Sequence, residues 1–425
     1  MTVTPRHLRL AWRLLLSLGV LYAAGMIAVA AYRARTPHVK GRGTSDYVTF
    51  YLTARHFLQT GQITSDAGVK NYLPFFPILM VPVAMLPCWL GAVLMAALSV
   101  GALVLSVAMM LRGLIPWHDS PPFLKVAVPI LMTLPFLHAC LVLGQVSILV
   151  TMLCLLAWWS LATGRPWAAG FPLALAVLIK PFLLSLVLFL GLKRQGRAVS
   201  GTLVWGVLLG AGLTFAVMKP QAWLDAHRDY YQRVLKGNTP LALIAKDKPQ
   251  FARFSNQSLA MVLRRLLTPI PAGDSHKTFQ VNLTRSTPRV VQVVYLIAAA
   301  ALAAVTLVIG RHPLERIQPE RAHFEFALFL LWGLLASPIV WTHYLPMAMY
   351  PLVLLTVQLM RDGDAGRRNR IGLAAWAFWI AATVSLVTEL AAPPYLRAVG
   401  IHLWATVLLW GAMAGCAVRI RPIRP

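Results

Sequence analysis

Runs of about 20 apolar residues, each long enough to cross roughly 30 Å of hydrocarbon as a helix, recur along the whole of this chain. They fall at about 12–32, 89–111, 123–143, 146–163, 167–190, 198–218, 290–309, 323–337, 342–360, 371–391 and 399–418. A bilayer core holds no water to satisfy backbone N–H and C=O groups, so such segments must be helical. With 58% hydrophobic residues and a mean hydropathy of +0.68, the chain falls outside the soluble globular class. The expected fold is all-α: a polytopic membrane bundle of about 10–12 helices, including one broken hairpin and an external amphipathic helix after the first span. It reads as a single membrane-embedded domain over 1–425, with external loops at 33–88 and 219–288.

Charge sets the orientation. Lys plus Arg number 39 against 13 Asp plus Glu, and the short basic connections mark the cytoplasmic side. These are Lys193-Arg194-Gln195-Gly196-Arg197, the 361–370 segment and the tail with Arg419, Arg421 and Arg424. Arg6, Arg9 and Arg13 precede the first apolar run, which is long and lacks a small-residue cleavage site, so it reads as a retained first helix. Cys88, Cys140, Cys154 and Cys416 stand singly in apolar context, without metal-ligand spacing, and read as packing residues.

Counting crossings from both ends gives a conflict at 167–190. One crossing there would put the Lys193–Arg197 cluster outside. Parity is restored if the stretch is a re-entrant hairpin turning at Lys180-Pro181, where proline removes a backbone donor. Lys180 then sits at a tip inside the membrane, in a cavity open to the outside. The two long external loops are themselves basic. Loops of that length are exempt from the charge rule, and their cations suit phosphates and anionic headgroups or simply a solvated surface.

Several polar groups interrupt this apolar background. Ser45 is a good N-cap, and Asp46 follows in the first turn, where the helix dipole favours a negative charge. Tyr47, Phe50, Tyr51, Ala54, Phe57 and Leu58 recur at helical spacing as an apolar stripe, with Asp46, Thr49, Thr53 and His56 facing the other way. The carboxylate is either a helix-end charge of local value or a base. Gly144-Gln145-Val146-Ser147 is a polar break between two spans, lining a cavity or a helix contact. Asn256 and Gln257 suit sugar hydroxyls and suit ordinary turns. The connection Ser337-Pro338-Ile339-Val340-Trp341-Thr342-His343-Tyr344 places an indole, an imidazole and a phenol together. Trp and Tyr belong at interfaces by default, whereas an ionisable histidine at that depth points to a functional cavity.

Taken in order, Asp46-Tyr47 with Tyr51, Ala54 and Gly61, then Tyr72-Leu73-Pro74, Gly144–Ser147, Lys180-Pro181, Asn256–Leu259 and Ser337–Tyr344 resemble glycosyltransferase family 87. These are polyprenyl-phosphate-mannose-dependent α-mannosyltransferases of the C-type membrane fold. The resemblance runs from about residue 44 to 360. It implies an inner-membrane enzyme that takes one sugar, mannose in the family, from a polyprenyl phosphate at the external face and gives it to a lipid or glycan acceptor. Its catalytic aspartate lies in the first external loop and matches Asp46. On this reading Asp46 and His343 are catalytic, and Lys180 and His343 hold the donor phosphate. Tyr51, Tyr72, Gln145, Asn256, Gln257, Trp341 and Tyr344 contact substrate. No cofactor, metal or nucleic acid is expected; the partners are the donor, the acceptor and membrane lipids. The chain departs from the family in reading Phe182 after Lys180-Pro181, and in a strongly basic 219–288 loop. A lipid transporter or flippase built around the broken helix, or an inactive family member, are the other classes compatible with the sequence.

Overall fold

The computed structural model describes residues 5–35, 45–63, 72–114, 122–245, 252–273, 279–361, 372–374, 376, 377, 379, 380 and 395–421. Every regular element among them is helical. The main helices are α1 (Pro5–Arg33), α2 (Asp46–Thr60), α3 (Cys88–Met109), α4 (Pro122–Leu143), α5 (Ser147–Ala162), α6 (Pro166–Ile179) and α7 (Leu184–Leu192). They continue with α8 (Gly196–Val207), α9 (Pro220–Tyr230), α10 (Leu259–Leu267), α11 (Pro288–Gly310), α12 (Pro319–Ala336), α13 (Met349–Arg361) and α14 (Ile401–Arg419).

Among the described residues, five continuous helical stretches are individually long and apolar enough to cross a membrane: Cys88–Leu114, Gly196–Val217, Pro288–Gly310, Thr342–Arg361 and Ile401–Arg419. Their burial separates inner from outer helices. In Thr342–Arg361, 78% of the most apolar window is buried, against 22% in Pro288–Gly310. The first is packed by protein on nearly all sides; the second presents Val290, Val293, Leu296 and Ile297 outward. Such a face is stable only against lipid. The spans read at 123–143 and 146–163 are α4 and α5, which meet at a bend of 119°. The span read at 371–391 lies largely outside the described residues.

The stretch at 167–190 is a hairpin. A Cβ on Gly170 of α6 would fall 2.4 Å from the Gly201 carbonyl carbon of α8, and Leu178 reaches Gly210 beyond it. Residue numbers rise together along the two helices, so α6 and α8 run in the same direction. The 180–195 segment between them must therefore return to the starting end. It does so along α12 in the opposite sense: Ser185 packs on Gly333, Phe189 on Phe329, and Lys193 on Glu325. Close approach through glycine faces is the usual means of packing helices in a membrane, where burial against lipid gives no drive.

The basic segments at 193–197 and 310–322 and the end of α14 do meet at one end of the bundle. Lys193 Nζ donates to the carbonyls of Gly310 (2.9 Å) and His312 (2.8 Å) and pairs with Glu325. Arg321 donates to the other Glu325 oxygen (2.6 Å) and to the carbonyls of Ile420 (2.8 Å) and Ile309 (3.2 Å). Lys193 and Glu325 are fully buried. Breaking one partner of such a pair would leave an uncompensated charge, at about 3–5 kcal/mol.

Helix α2 differs from the stripe read in the sequence. Val48 and Thr53 are buried along with Tyr47, Phe50, Tyr51, Ala54 and Phe57, whereas Leu58 is 42% exposed. The helix is wedged into the bundle rather than laid on its surface. Three side chains at i, i+4 and i+8 hold it there through backbone carbonyls of the α3 approach. Tyr47 donates to Cys88 (2.9 Å), Tyr51 to Leu86 (3.0 Å) and Arg55 to Ala84 (3.1 Å). The Ala84 and Leu86 carbonyls lie where a short helix, Val81–Ala84, ends and Pro87 interrupts the chain, leaving acceptors without helical donors, and Cys88 is the first residue of α3. The described residues of the 219–288 segment include α9, a short helix Pro240–Ala245 and α10.

Candidate active site

The end of the bundle opposite Lys193 gathers the polar residues that interrupt the apolar spans. Ser45 caps α2, accepting from the Val48 N–H (3.4 Å), and this fixes Asp46 at the first helical position. The α4–α5 turn reaches the same place. α4 ends in a Schellman motif, with the Gly144 N–H donating to Leu141 (3.3 Å) and the Gln145 N–H to Cys140 (2.8 Å). Gly144 adopts φ +66°, and a Cβ there would fall 2.4 Å from the Tyr47 Cβ, so only glycine lets α2 approach this turn. Gln145 is thereby set against Asp46, and its Nε2 donates to Asp46 Oδ2 at 2.5 Å. Its Oε1 accepts from the Tyr72 hydroxyl at 3.3 Å. The Tyr72 ring is stacked on Phe76 (4.3 Å) and edge-on to Phe50 (5.3 Å).

The hairpin brings the cation. Lys180 lies between α6 and the Pro181–Leu183 turn, in extended conformation, and proline at the next position forbids the helix from continuing through it. Its Nζ sits 3.3 Å from the centroid of the Tyr344 ring and 5.9 Å from that of Tyr72. Lys180 is 3% exposed, and its Nζ has no hydrogen-bond partner among the described residues. A cation–π contact offsets only part of the cost of burying that charge. The ammonium lies within electrostatic reach of the Asp46 carboxyl and the His343 ring. Burial pushes the Asp46 carboxyl above the ordinary carboxylate range, while the Gln145 hydrogen bond and the Lys180 charge pull it back.

His343 and Tyr344 come from the short 3₁₀ helix Thr342–Ala348, with the rings 5.0 Å apart. Cys140, read in the sequence as packing, is buried but takes part here: its thiol donates to the His343 carbonyl (3.0 Å). No spacing signal marks it, because the contact joins residues 203 apart.

The other residues singled out in the sequence lie elsewhere. The Tyr51 hydroxyl is tied to Leu86, which draws it toward the α3 approach. Trp341 is half-buried against the core at the head of the 3₁₀ helix. Asn256 and Gln257 are buried and serve the backbone. Asn256 Oδ1 accepts from the N–H groups of Ser258 and Val340 (both 3.1 Å). The Gln257 N–H donates to Val340 (2.7 Å), and its side chain donates to Phe254 (2.5 Å) and Arg397 (2.7 Å). Together they stitch the 337–341 connection to the α10 approach. Among the described residues no group of three His, Cys, Asp or Glu side chains is placed to hold a metal ion.

A family model described as glycosyltransferase family 87 matches residues 71–338. Among solved structures, the chain is similar to ArnT from Cupriavidus metallidurans bound to undecaprenyl phosphate, at 12% identity and a TM-score of 0.43, covering 95% of this chain and 77% of that one. It is similar to the same protein in the apo state at 14% identity and a TM-score of 0.42, with the same coverage. No curated protein matches the chain.

Proposed function

The chain belongs to glycosyltransferase family 87, and from that premise we propose that it moves one sugar from a polyprenyl-phosphate donor to an acceptor hydroxyl, with Asp46 as general base. The observation that carries this reading is the meeting, at one end of the bundle, of the Asp46 carboxyl and a buried Lys180 that has no hydrogen-bond partner among the described residues.

Transfer breaks the bond between the sugar C1 and the phosphate oxygen, forms a bond from C1 to the acceptor oxygen, and moves the acceptor proton to Asp46. The departing polyprenyl phosphate turns from a diester into a monoester and gains negative charge. Lys180, with His343 beside it, is placed to stabilise that charge where it develops. A monophosphate leaving group needs no more than side-chain cations, so the proposed reaction proceeds without a metal ion and is expected to persist in chelator. Mannose is the proposed sugar and a lipid or glycan hydroxyl the proposed acceptor, both resting on the family resemblance. The bundle end holding Lys193 is rich in arginine at positions 165, 194, 197, 311 and 316, which favours the cytoplasm. The Asp46 end would then face the periplasm or exterior of an inner-membrane protein.

The test uses purified protein in nanodiscs with a radiolabelled polyprenyl-phosphate-mannose donor. Wild type is expected to release polyprenyl phosphate in the presence of acceptor, and Asp46→Asn to lose about 10²–10⁴-fold in rate with expression intact. A variant retaining more than about a tenth of the rate would remove Asp46 from the role of base.

A further inference from the structure

We propose that Gln145 and Tyr72 are positioning residues for Asp46 rather than contacts to the sugar, forming a relay that fixes which carboxylate oxygen takes the acceptor proton. The inference rests on the reading of Asp46 as base.

Three separate segments build the relay. Tyr72 O–H donates to Gln145 Oε1 (3.3 Å), and Gln145 Nε2 donates to Asp46 Oδ2 (2.5 Å). One N–H and one oxygen lone pair of the amide are committed to this line. The direction of the chain follows from chemistry. An ionised carboxylate can only accept, so Nε2 must face Asp46; Oε1 then faces Tyr72, whose hydroxyl must donate. Both supports are rigid. The Gln145 backbone is held by the helix-ending turn at Gly144, and the Tyr72 ring by Phe76 and Phe50.

Two consequences follow. With Oδ2 held by the amide, Oδ1 accepts no hydrogen bond from a described residue and is the oxygen presented to the acceptor. And the relay is charge-sensitive: with the proton on Oδ1, Oδ2 still accepts from the amide, but the bond from Nε2 is stronger to the ionised carboxylate than to the neutral acid. The ionised, competent form of the base is thus the one the resting network favours.

The experiment compares pH profiles of kcat/KM for wild type, Gln145→Met, Tyr72→Phe and the double variant, using the polyprenyl-phosphate-mannose assay, with folding checked by monodisperse elution. Losing a hydrogen bond to a charged group is expected to move the acidic limb upward by about one pH unit in Gln145→Met. At pH 7, kcat should drop about tenfold, with donor KM within about twofold of wild type. Tyr72→Phe should shift the limb the same way by less, and should add nothing in the Gln145→Met background, because its effect passes through the amide. An unmoved limb, or a raised donor KM with unchanged kcat, would make these residues ordinary substrate contacts and overturn the relay. Failure of the underlying reading shows differently: Asp46→Asn would keep both its activity and the acidic limb.

Discussion

Asp46 and Glu325 are both buried-side carboxylates in a chain with few acids, and their surroundings part them. Both Glu325 oxygens are taken by cations, Lys193 on one and Arg321 on the other. Asp46 has one oxygen on a neutral amide, while the nearby Lys180 makes no hydrogen bond with a described residue. A saturated pair holds structure; an unsaturated one is poised for a ligand. Lys180→Met is therefore expected to raise thermal stability, because an intramembrane charge costs about 2.5–3.5 kcal/mol on insertion scales, while lowering kcat about 10²–10³-fold. A thermal-shift assay finding the variant less stable would mean that Lys180 has a structural partner. The pH dependence follows with its sign. Because burial raises the Asp46 carboxyl, the base is protonated in a range where an ordinary carboxylate of about 4 is ionised, and activity falls as pH drops through the raised value. The acidic limb should lie above about 4, and Lys180→Met, which removes a charge that pulls the carboxyl down, should move it higher still. A limb that stays in place in that variant would place Lys180 out of reach of Asp46.

The hairpin of α6 and α7 is the element on which the proposed site depends, since it carries Lys180 to Asp46. Its return path is fixed by the glycine faces of α6 and α8. Gly170→Val should therefore spread that interface, lower the melting temperature by several degrees and reduce transfer, at about 1–3 kcal/mol for overpacking. Gly411→Ala on α14, with nothing within 4 Å of its added Cβ, should do neither. Equal effects at the two positions would mean that contact at Gly170 is not what sets the hairpin. This element was legible before any coordinates, because parity is a property of the charge pattern and three cations in five residues at Lys193–Arg197 leave one consistent path. The helix capping of Ser45 was legible for the same local reason. What lay beyond reach depended on contacts distant in sequence. In the sequence Asn256 suits sugar hydroxyls or an ordinary turn, and no local pattern shows that its side-chain oxygen accepts from a backbone N–H 84 residues away. Spacing gives α2 an apolar stripe without saying how wide the surrounding groove is, so the burial of Val48 and Thr53 beside that stripe was out of reach. Thr53 is enclosed, its hydroxyl donating to the Thr49 carbonyl (2.9 Å), which removes the penalty that its polarity suggested.

At the scale of the whole molecule, the end that holds the proposed site and the end that holds the Lys193 clamp stand apart along one bundle, joined by helices that run between them. Glu325→Gln is expected to lower stability by about 3–5 kcal/mol, read as a fall in melting temperature and in the yield of monodisperse protein. The surviving folded fraction should keep its specific activity, since Asp46 and Lys180 lie at the other end. A selective loss of turnover without loss of stability would show that the two ends are coupled. The Lys193 clamp also has a history in the life of the chain. Lys193 leaves the ribosome 132 residues before Glu325, and the carbonyl of Ile420 that completes the set around Arg321 comes later still. During synthesis the lysine must wait in the headgroup layer, where a long ammonium side chain can reach water. It can be drawn in only once α12 has arrived, and the set is complete only when α14 has been inserted. Assembly of this bundle therefore has a last step, and a chain interrupted before it would leave Arg321 without its Ile420 carbonyl, a mark by which quality control could tell an unfinished copy from a finished one.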